Sequence, residues 1–207
     1  RLGQAVAGRR LWLAASPHPG EDGIIAGVHH ALAGRFPGLL TVIVPRHPNR
    51  GPDIAREMLA LGLSAALRSA GELPHAGSHV YVADTMGELG LFYRLADIVF
   101  MGKSLAVGGG QNPFEPARIG AAVLFGPAMD NFPDMAPRMI EAGAALTVAD
   151  GAALAATLGR LLDDPDLTAR MKEAALAWSA AEAGVLDAVE AALAPVLERL
   201  ETHHARP

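Results

Sequence analysis

The chain has no cysteine, so it forms no disulfide, and a zinc site would have to be built from histidine and carboxylate alone. It is also short of positive charge: 17 Lys and Arg stand against 22 Asp and Glu, a formal net charge of −5. That balance leaves no basic footprint and argues against nucleic acid as a partner. No apolar run reaches the roughly 18 residues of a spanning helix, and no signal peptide opens the chain. The chain begins on Arg1 and not on Met, as an excised piece would, so the lack of a targeting segment says little about an intact protein. Several signatures of cofactor and nucleophile chemistry are missing too. No Gly-x-Gly-x-x-Gly follows the first strand, which disfavours a standard dinucleotide cofactor. Gly102-Lys103-Ser104 looks like the end of a Walker loop but lacks the preceding glycine at the required spacing. Asp130 and Asp134, the one acidic pair near metal spacing, read as loop charges. The sequence thus calls for no cofactor and no metal.

What is present is a folded core, since 51 % of the 207 residues are apolar. Short apolar runs, each expected to be a strand, occur at Leu11 to Ala15, Leu39 to Val44, Ala65 to Arg68, Val80 to Ala83, Ile98 to Met101, Val123 to Phe125 and Leu146 to Val148. Helical periods fall between most of them: Glu21 to Arg35, Asp53 to Leu61, Gly87 to Leu95, a short helix ending near Gly120, and Pro133 to Ala142. This alternation means βαβ units and a parallel sheet with helices on both faces. From Ala152 the pattern is helical only. Leu154, Leu158 and Leu161 make one stripe; Leu167, Met171, Ala174 and Trp178 a second; Leu186 to Leu200 a third, with a kink expected at Pro195. With no internal repeat and no low-complexity linker, residues 1–150 read as one α/β domain, 151–201 as its helical extension and 202–207 as a disordered tail.

Parallel sheets bind ligands outside the carboxyl ends of their strands. The polar residues cluster there, and the central stretch is Gly102 to Pro116, with three consecutive glycines, two prolines and Glu115. Glycines let backbone N–H groups approach a ligand closely, although such a run also suits a surface turn. Pro116 is expected to fit the first turn of a helix and to push Glu115 away from helical angles, so that Glu115 sits at the helix mouth. Asp84-Thr85-Met86-Gly87-Glu88 follows a strand and opens a helix, with the S/T-x-x-E spacing of a capping box. It reads either as a plain cap or as an anion site on free N–H groups, and a capping Glu88 counts against a phosphate nearby. Pro45-Arg46-His47-Pro48 holds Arg46 and His47 at a strand end, where Arg46 is either solvated or a two-pronged phosphate ligand. Ser16, His18 and Glu21 look like a hydrolytic set, but no Gly-x-Ser-x-Gly elbow surrounds Ser16, so a binding role is preferred for this loop. Gly20-Glu21 also looks like an ordinary helix start.

Several of these motifs occur together in one family. D-T-M-G-E-L (Asp84 to Leu89), L-A-D-I-V-F-M-G (Leu95 to Gly102) and N-P-F-E-P-A (Asn112 to Ala117) closely resemble the Kdo transferases of lipopolysaccharide synthesis. S-x-H-x-G-E (Ser16 to Glu21), V-P-R-H-P-x-R (Val44 to Arg50), Arg68-Ser69 and Asn131-Phe132 are similar to that family in the same order. The resemblance spans roughly residues 10 to 200. It implies a Rossmann-like, nucleotide-sugar-binding domain: the C-terminal, donor-binding half of a GT-B glycosyltransferase that moves 3-deoxy-D-manno-octulosonic acid from CMP-Kdo to lipid A precursor. The acceptor and the acidic general base would belong to an N-terminal domain outside this chain, so the chain alone is expected to be inactive. The intact protein would work at the cytoplasmic face of the bacterial inner membrane, this domain being soluble.

Carried over by motif, Glu115 would bind the ribose hydroxyls of CMP. The stretch Thr85, Met86, Gly87, Glu88 and Leu89 would hold cytidine and phosphate through its backbone. Arg46, with His47 beside it, would lie at the phosphate or the Kdo carboxylate, and Ser16, His18, Ser104 and Asn112 would line the cleft. Three positions depart from the family pattern: Gln111 replaces a usual His, Lys103 a usual Gly and Pro17 a usual Thr. Lys103 either adds a phosphate contact or fills part of the cleft. Two other functions fit the same residues, a UDP-sugar epimerase of GT-B architecture and a stand-alone, non-catalytic nucleotide-binding module. The third apolar stripe, left without a partner domain, would favour weak self-association.

Overall fold

Leu11–Ala15 (β1) sends Trp12 and Ala14 to one side and Leu13 and Ala15 to the other, and all four are buried. A strand buried on both sides needs a helical layer on each, and the computed structural model of the chain supplies both. It describes the backbone of residues 1–106 and 108–204 and the side chains of 1–106 and 108–184.

A short helix, α1 (Leu2–Ala5), precedes β1. The chain then runs α2 (Asp22–Ala33), β2 (Leu40–Val44), α3 (Gly51–Ala60), β3 (Ala65–Leu67), β4 (Val80–Val82), α4 (Leu89–Leu95) and β5 (Ile98–Met101). It continues with α5 (Phe114–Ile119), β6 (Ala122–Phe125), α6 (Met135–Glu141), β7 (Ala145–Thr147), α7 (Gly151–Asp163) and α8 (Pro165–His204). The seven strands are parallel in the order β3-β4-β2-β1-β5-β6-β7. This is the expected Rossmann-like sheet, and its strand order reverses between β1 and β5. At such a point neighbouring strand ends lead away in opposite directions and leave a crevice.

On one face Ile25, Val28 and Leu32 of α2, Ile54 and Met58 of α3, and Leu154, Leu158 and Leu161 of α7 pack on Trp12, Ile43 and Phe100. On the other, Phe92 and Tyr93 of α4, Met139 of α6 and Ala175 and Trp178 of α8 pack on Leu13, Val42, Val99 and Phe125. The α7 stripe is as expected. In α8 the buried apolar set is Met171, Ala175 and Trp178, with Ala175 in place of the expected Ala174; both positions lie on three- and four-residue steps from Met171 to Trp178, so the helical period alone does not choose between them. Trp178 meets Phe114 edge to face at 5.9 Å and ties α8 to α5.

The second and third helical stripes belong to one helix, which runs into the stretch expected to be a disordered tail. The side chains of the Leu186 to Leu200 stripe, the bend expected at Pro195 and residues 205–207 lie outside the described residues. A second difference concerns α5, which begins at Phe114 and so includes Glu115 in its first turn. Pro116 falls within the first turn as expected, where no N–H is needed, but it does not hold Glu115 out of the helix, and Pro113 takes the cap position.

Candidate functional site

The loops that follow β1 and β5 are fastened together by one buried carboxylate. Glu21, 0 % exposed, accepts backbone N–H bonds from His18 (2.8 Å) and Lys103 (2.6 Å) through Oε2, and from Ser104 and Leu105 (both 3.0 Å) through Oε1. It sits at the cap position of α2, so its sequence context is that of a helix start while its bonds run mainly across the crevice. Gly102 is required beside it, because a Cβ there would overlap the backbone of Pro17. Ser104 is fully buried, donating to Met101 O (2.6 Å) and accepting from Gly126 N (2.8 Å). It supports the loop from beneath and does not line the cleft.

Above this clamp lies a cleft of about 560 Å³. Ser16, His18, Arg46, His47, Lys103, Gln111 and Asn112, all singled out in the sequence, line it together. Arg50, Asn131 and Phe132, which the motifs contained without an assigned role, line it as well. A smaller hollow of about 110 Å³ adjoins it and shares Ser16 and Arg46; Thr85, Met86, Gly87 and Leu89 form its far side. Neither lining contains a carboxylate. The polar groups of the larger hollow include Arg46, Arg50 and Lys103 and the amides of Gln111, Asn112 and Asn131, a composition suited to an anion.

The far loop is held by a pair of adjacent residues. Ser69 donates to Asp84 from its N (2.8 Å) and its Oγ (2.7 Å), while the Arg68 guanidinium grips both carboxylate oxygens of Glu88. The β3–β4 register, Leu67 opposite Val82, brings Arg68-Ser69 alongside the loop that follows β4. The expected capping box is corrected here. α4 begins at Leu89, Glu88 takes the cap position, and Thr85 Oγ1 donates to the Glu88 carboxylate and not to the backbone. Arg68, and secondarily Thr85, hold the Glu88 carboxyl down at about 2. With that charge neutralised by Arg68, Glu88 no longer opposes an anion at the loop. Gly87 has φ +78°, and Met86 stands 80 % exposed at the rim.

The glycine run behaves as its composition implies: Gly109 and Gly110 have φ of +115° and +68°. Asp130, read from sequence as a loop charge, accepts from Gly109 N at 3.2 Å, and Gly110 N donates to Lys103 O at 2.8 Å. Asn112 Oδ1 accepts from Phe114 N at 3.0 Å and so joins the cleft to α5. Glu115 is exposed in the first turn of that helix, not buried, and lines neither hollow. It lies close enough to Tyr93 to add to the upward push that burial gives the phenol. Asp22, next to the clamp, is buried and paired with Arg50, whose guanidinium also donates to Pro17 O at 3.1 Å. Burial raises the Asp22 carboxyl and Arg50 partly offsets it.

Sequence reasoning missed the Glu21 clamp and the Arg68-Ser69 anchor. The only sign of either was the recurrence of those residues beside the more obvious motifs.

No protein-family model matches the chain. It is 37 % identical over 192 residues to the 3-deoxy-D-manno-octulosonic acid transferase of Haemophilus influenzae, covering 92 % of the chain and 45 % of that protein. With the enzyme of the same name from Bordetella pertussis it shares 39 % over 202 residues, again 92 % of the chain and 47 % of the relative. The chain therefore spans about half the length of these curated relatives. Among solved structures, it matches the C-terminal CMP-Kdo binding domain of WaaA from Acinetobacter baumannii with a TM-score of 0.80 and 31 % identity, over 84 % of this chain and 92 % of that one.

Proposed function

The chain belongs to the 3-deoxy-D-manno-octulosonic acid transferase family, and we propose that it is the half that holds the nucleotide-sugar donor, CMP-Kdo. The observation that carries this reading is the cation- and amide-lined cleft at the strand reversal, built from loops that the rest of the chain locks in place. The Thr85–Leu89 loop takes the cytidine, Arg46 at the junction of the two hollows takes the phosphate, and the larger hollow takes the sugar. Glu115, in the first turn of α5 and linked to the cleft through Asn112, reaches the ribose hydroxyls. Asn112, Gln111, Asn131, Ser16 and His18 supply neutral polar contacts around the sugar.

The acceptor in this reading is lipid A precursor, and it is bound with the general base by an N-terminal domain of the intact protein. That protein acts in lipopolysaccharide synthesis at the cytoplasmic face of the inner membrane; no helix among the described residues is long and apolar enough to cross a membrane. No cleft residue favours a UDP-sugar epimerase, and likeness to solved structures at less than a fifth identity shows fold alone. The test is a thermal-shift comparison of CMP with UMP and UDP, since a ligand raises the melting temperature according to its affinity for the folded state. CMP is expected to give the largest shift; a larger shift with UDP overturns the donor assignment.

A further inference from the structure

Among the described residues, two that are not glycine have left-handed backbone, Ser16 with φ 53° and Lys103 with φ 60°, and both line the larger hollow. A residue with a Cβ is strained in that region, and glycine would occupy it freely. The other described positive-φ positions are glycines. A lysine retained at such a position is explained by what its side chain reaches. Its own backbone is fully used: Lys103 N donates to Glu21 and Lys103 O accepts from Gly110 N. A Cβ placed on Gly109 would lie 3.3 Å from Lys103 Nζ and 2.8 Å from Asn131 Nδ2, so the ammonium rests over the glycine loop beside an amide. The described residues give that ammonium no carboxylate partner, and no acidic residue lines the hollow to provide one.

Two cations in the cleft are thus without an acidic partner among the described residues, Arg46 and Lys103, and they are not equivalent. Arg46 borders both hollows, and Lys103 borders only the larger one, away from the Thr85–Leu89 loop. Arg50, the third, is already engaged by Asp22. A nucleoside monophosphate joined to a neutral sugar carries a single negative charge, at the phosphate, and Arg46 alone answers it. A second cation set further along, on the sugar side, answers a second anion.

We propose that Lys103 is a specificity-determining residue whose ammonium binds the carboxylate of an acidic sugar linked to the nucleoside monophosphate, while Arg46 serves the phosphate. The proposal rests on the donor-site reading above and adds a chemical requirement to it: the transferred sugar is recognised by its charge as well as by its shape. A half-buried cation discriminates against a ligand that leaves it unpaired.

The experiment is calorimetry of CMP and of CMP-Kdo with the 207-residue chain and two variants. Lys103→Met keeps the length and the left-handed backbone but removes the charge, and Lys103→Gly removes the side chain and the strain. Both variants are expected to bind CMP within about twofold of the parent and CMP-Kdo about tenfold or more weakly, since a charge-assisted hydrogen bond of the usual strength is lost. The deficit should narrow as salt is raised. Lys103→Gly should melt no lower than the parent, which separates lost recognition from lost folding. Equal weakening for CMP and CMP-Kdo overturns the proposal and moves Lys103 to the phosphate; no weakening for either shows that it only fills space. A parent chain that binds neither ligand overturns the donor-site reading itself, and that result is distinct from the other two.

Discussion

Two glutamates at the site invite the same conservative change and should respond to it differently. Glu21 is fully buried and its two oxygens accept four backbone N–H groups drawn from two loops. Glutamine in its place offers one oxygen and turns an NH₂ toward groups that are themselves donors. A buried donor left without an acceptor costs about 1–3 kcal/mol, so Glu21→Gln is expected to lower stability by about 2–4 kcal/mol in urea unfolding. Glu115 is exposed, and nothing in the fold depends on its charge beyond a mild preference for an acid at a helix start. Glu115→Gln should leave unfolding within about 0.5 kcal/mol of the parent and weaken CMP about tenfold by calorimetry, the value of one charged hydrogen bond to the ribose. Unchanged CMP affinity in a folded Glu115→Gln chain would remove Glu115 from the ribose. A Glu21→Gln chain as stable as the parent would show that water replaces the clamp. The contrast also shows what a sequence conceals. Both glutamates stand next to a helix start, and only the fold, which brings Lys103 to Leu105 within reach of Glu21 from more than eighty residues away, makes one of them a clamp.

Between elements, α2 and β2 are joined by a buried polar contact that makes the fold sensitive to acid. His29, 1 % exposed, shares a hydrogen bond of 2.9 Å between its Nδ1 and Thr41 Oγ1, to which Trp12 Nε1 also donates at 2.8 Å. Burial, with the nearby His79, His30 and Arg9, lowers the imidazole from 6.5 to about 4. The folded pKa is thus below the unfolded one, and the unfolded chain takes up a proton first. Stability is complete above about pH 6.5 and is lost as pH falls through the window from 6.5 to 4, by about 3 kcal/mol in all. Urea unfolding at pH 7, 5.5 and 4 should show that slope, and His29→Gln should flatten it; a variant with the parent's slope would place the acid sensitivity elsewhere. Element order was legible here because each strand is a short, mostly apolar run, most of them soon followed by proline, glycine or a charge, and every strand of the sheet falls within a residue or two of its expected place. The ends of the helices were less legible. α4 begins two residues later than expected, with Glu88 at its cap position and the Glu88 carboxylate drawn to Arg68, remote in sequence, and α5 takes Glu115 into its first turn because proline is tolerated there. Ser104, assigned to the cleft by motif, is instead held beneath the loop by Met101 O and Gly126 N, partners that the local sequence does not show together.

For the whole molecule, the question is whether a chain with this cleft can do more than hold a donor. Transfer requires a base within hydrogen-bond reach of the acceptor hydroxyl, and position precedes pKa in choosing one. The carboxylates around the cleft are already committed. Glu21 holds the two loops, Asp22 pairs with Arg50, Asp84 with Ser69, Glu88 with Arg68, and Asp130 accepts from Gly109. Glu115, exposed on α5, is the one the proposed reading assigns to ribose, and a carboxylate occupied there is unavailable to an acceptor. The imidazoles do not alter this, since His18 and His47 line a hollow that also presents Arg46, Arg50, Lys103 and three amides, where a charged sugar would occupy the space between them. The expected outcome is therefore binding without turnover. Incubated with CMP-Kdo and lipid A precursor, the 207-residue chain should release CMP no faster than the acceptor-free control, whereas the same chain joined to the N-terminal half of a family member should release it in proportion to acceptor. The measurement is CMP produced with and without acceptor, run beside calorimetry showing that the donor is bound. Acceptor-dependent release by the chain alone would mean that one of these committed carboxylates, or a histidine of the cleft, is free to act as the base, and the division of labour proposed here would fall with it.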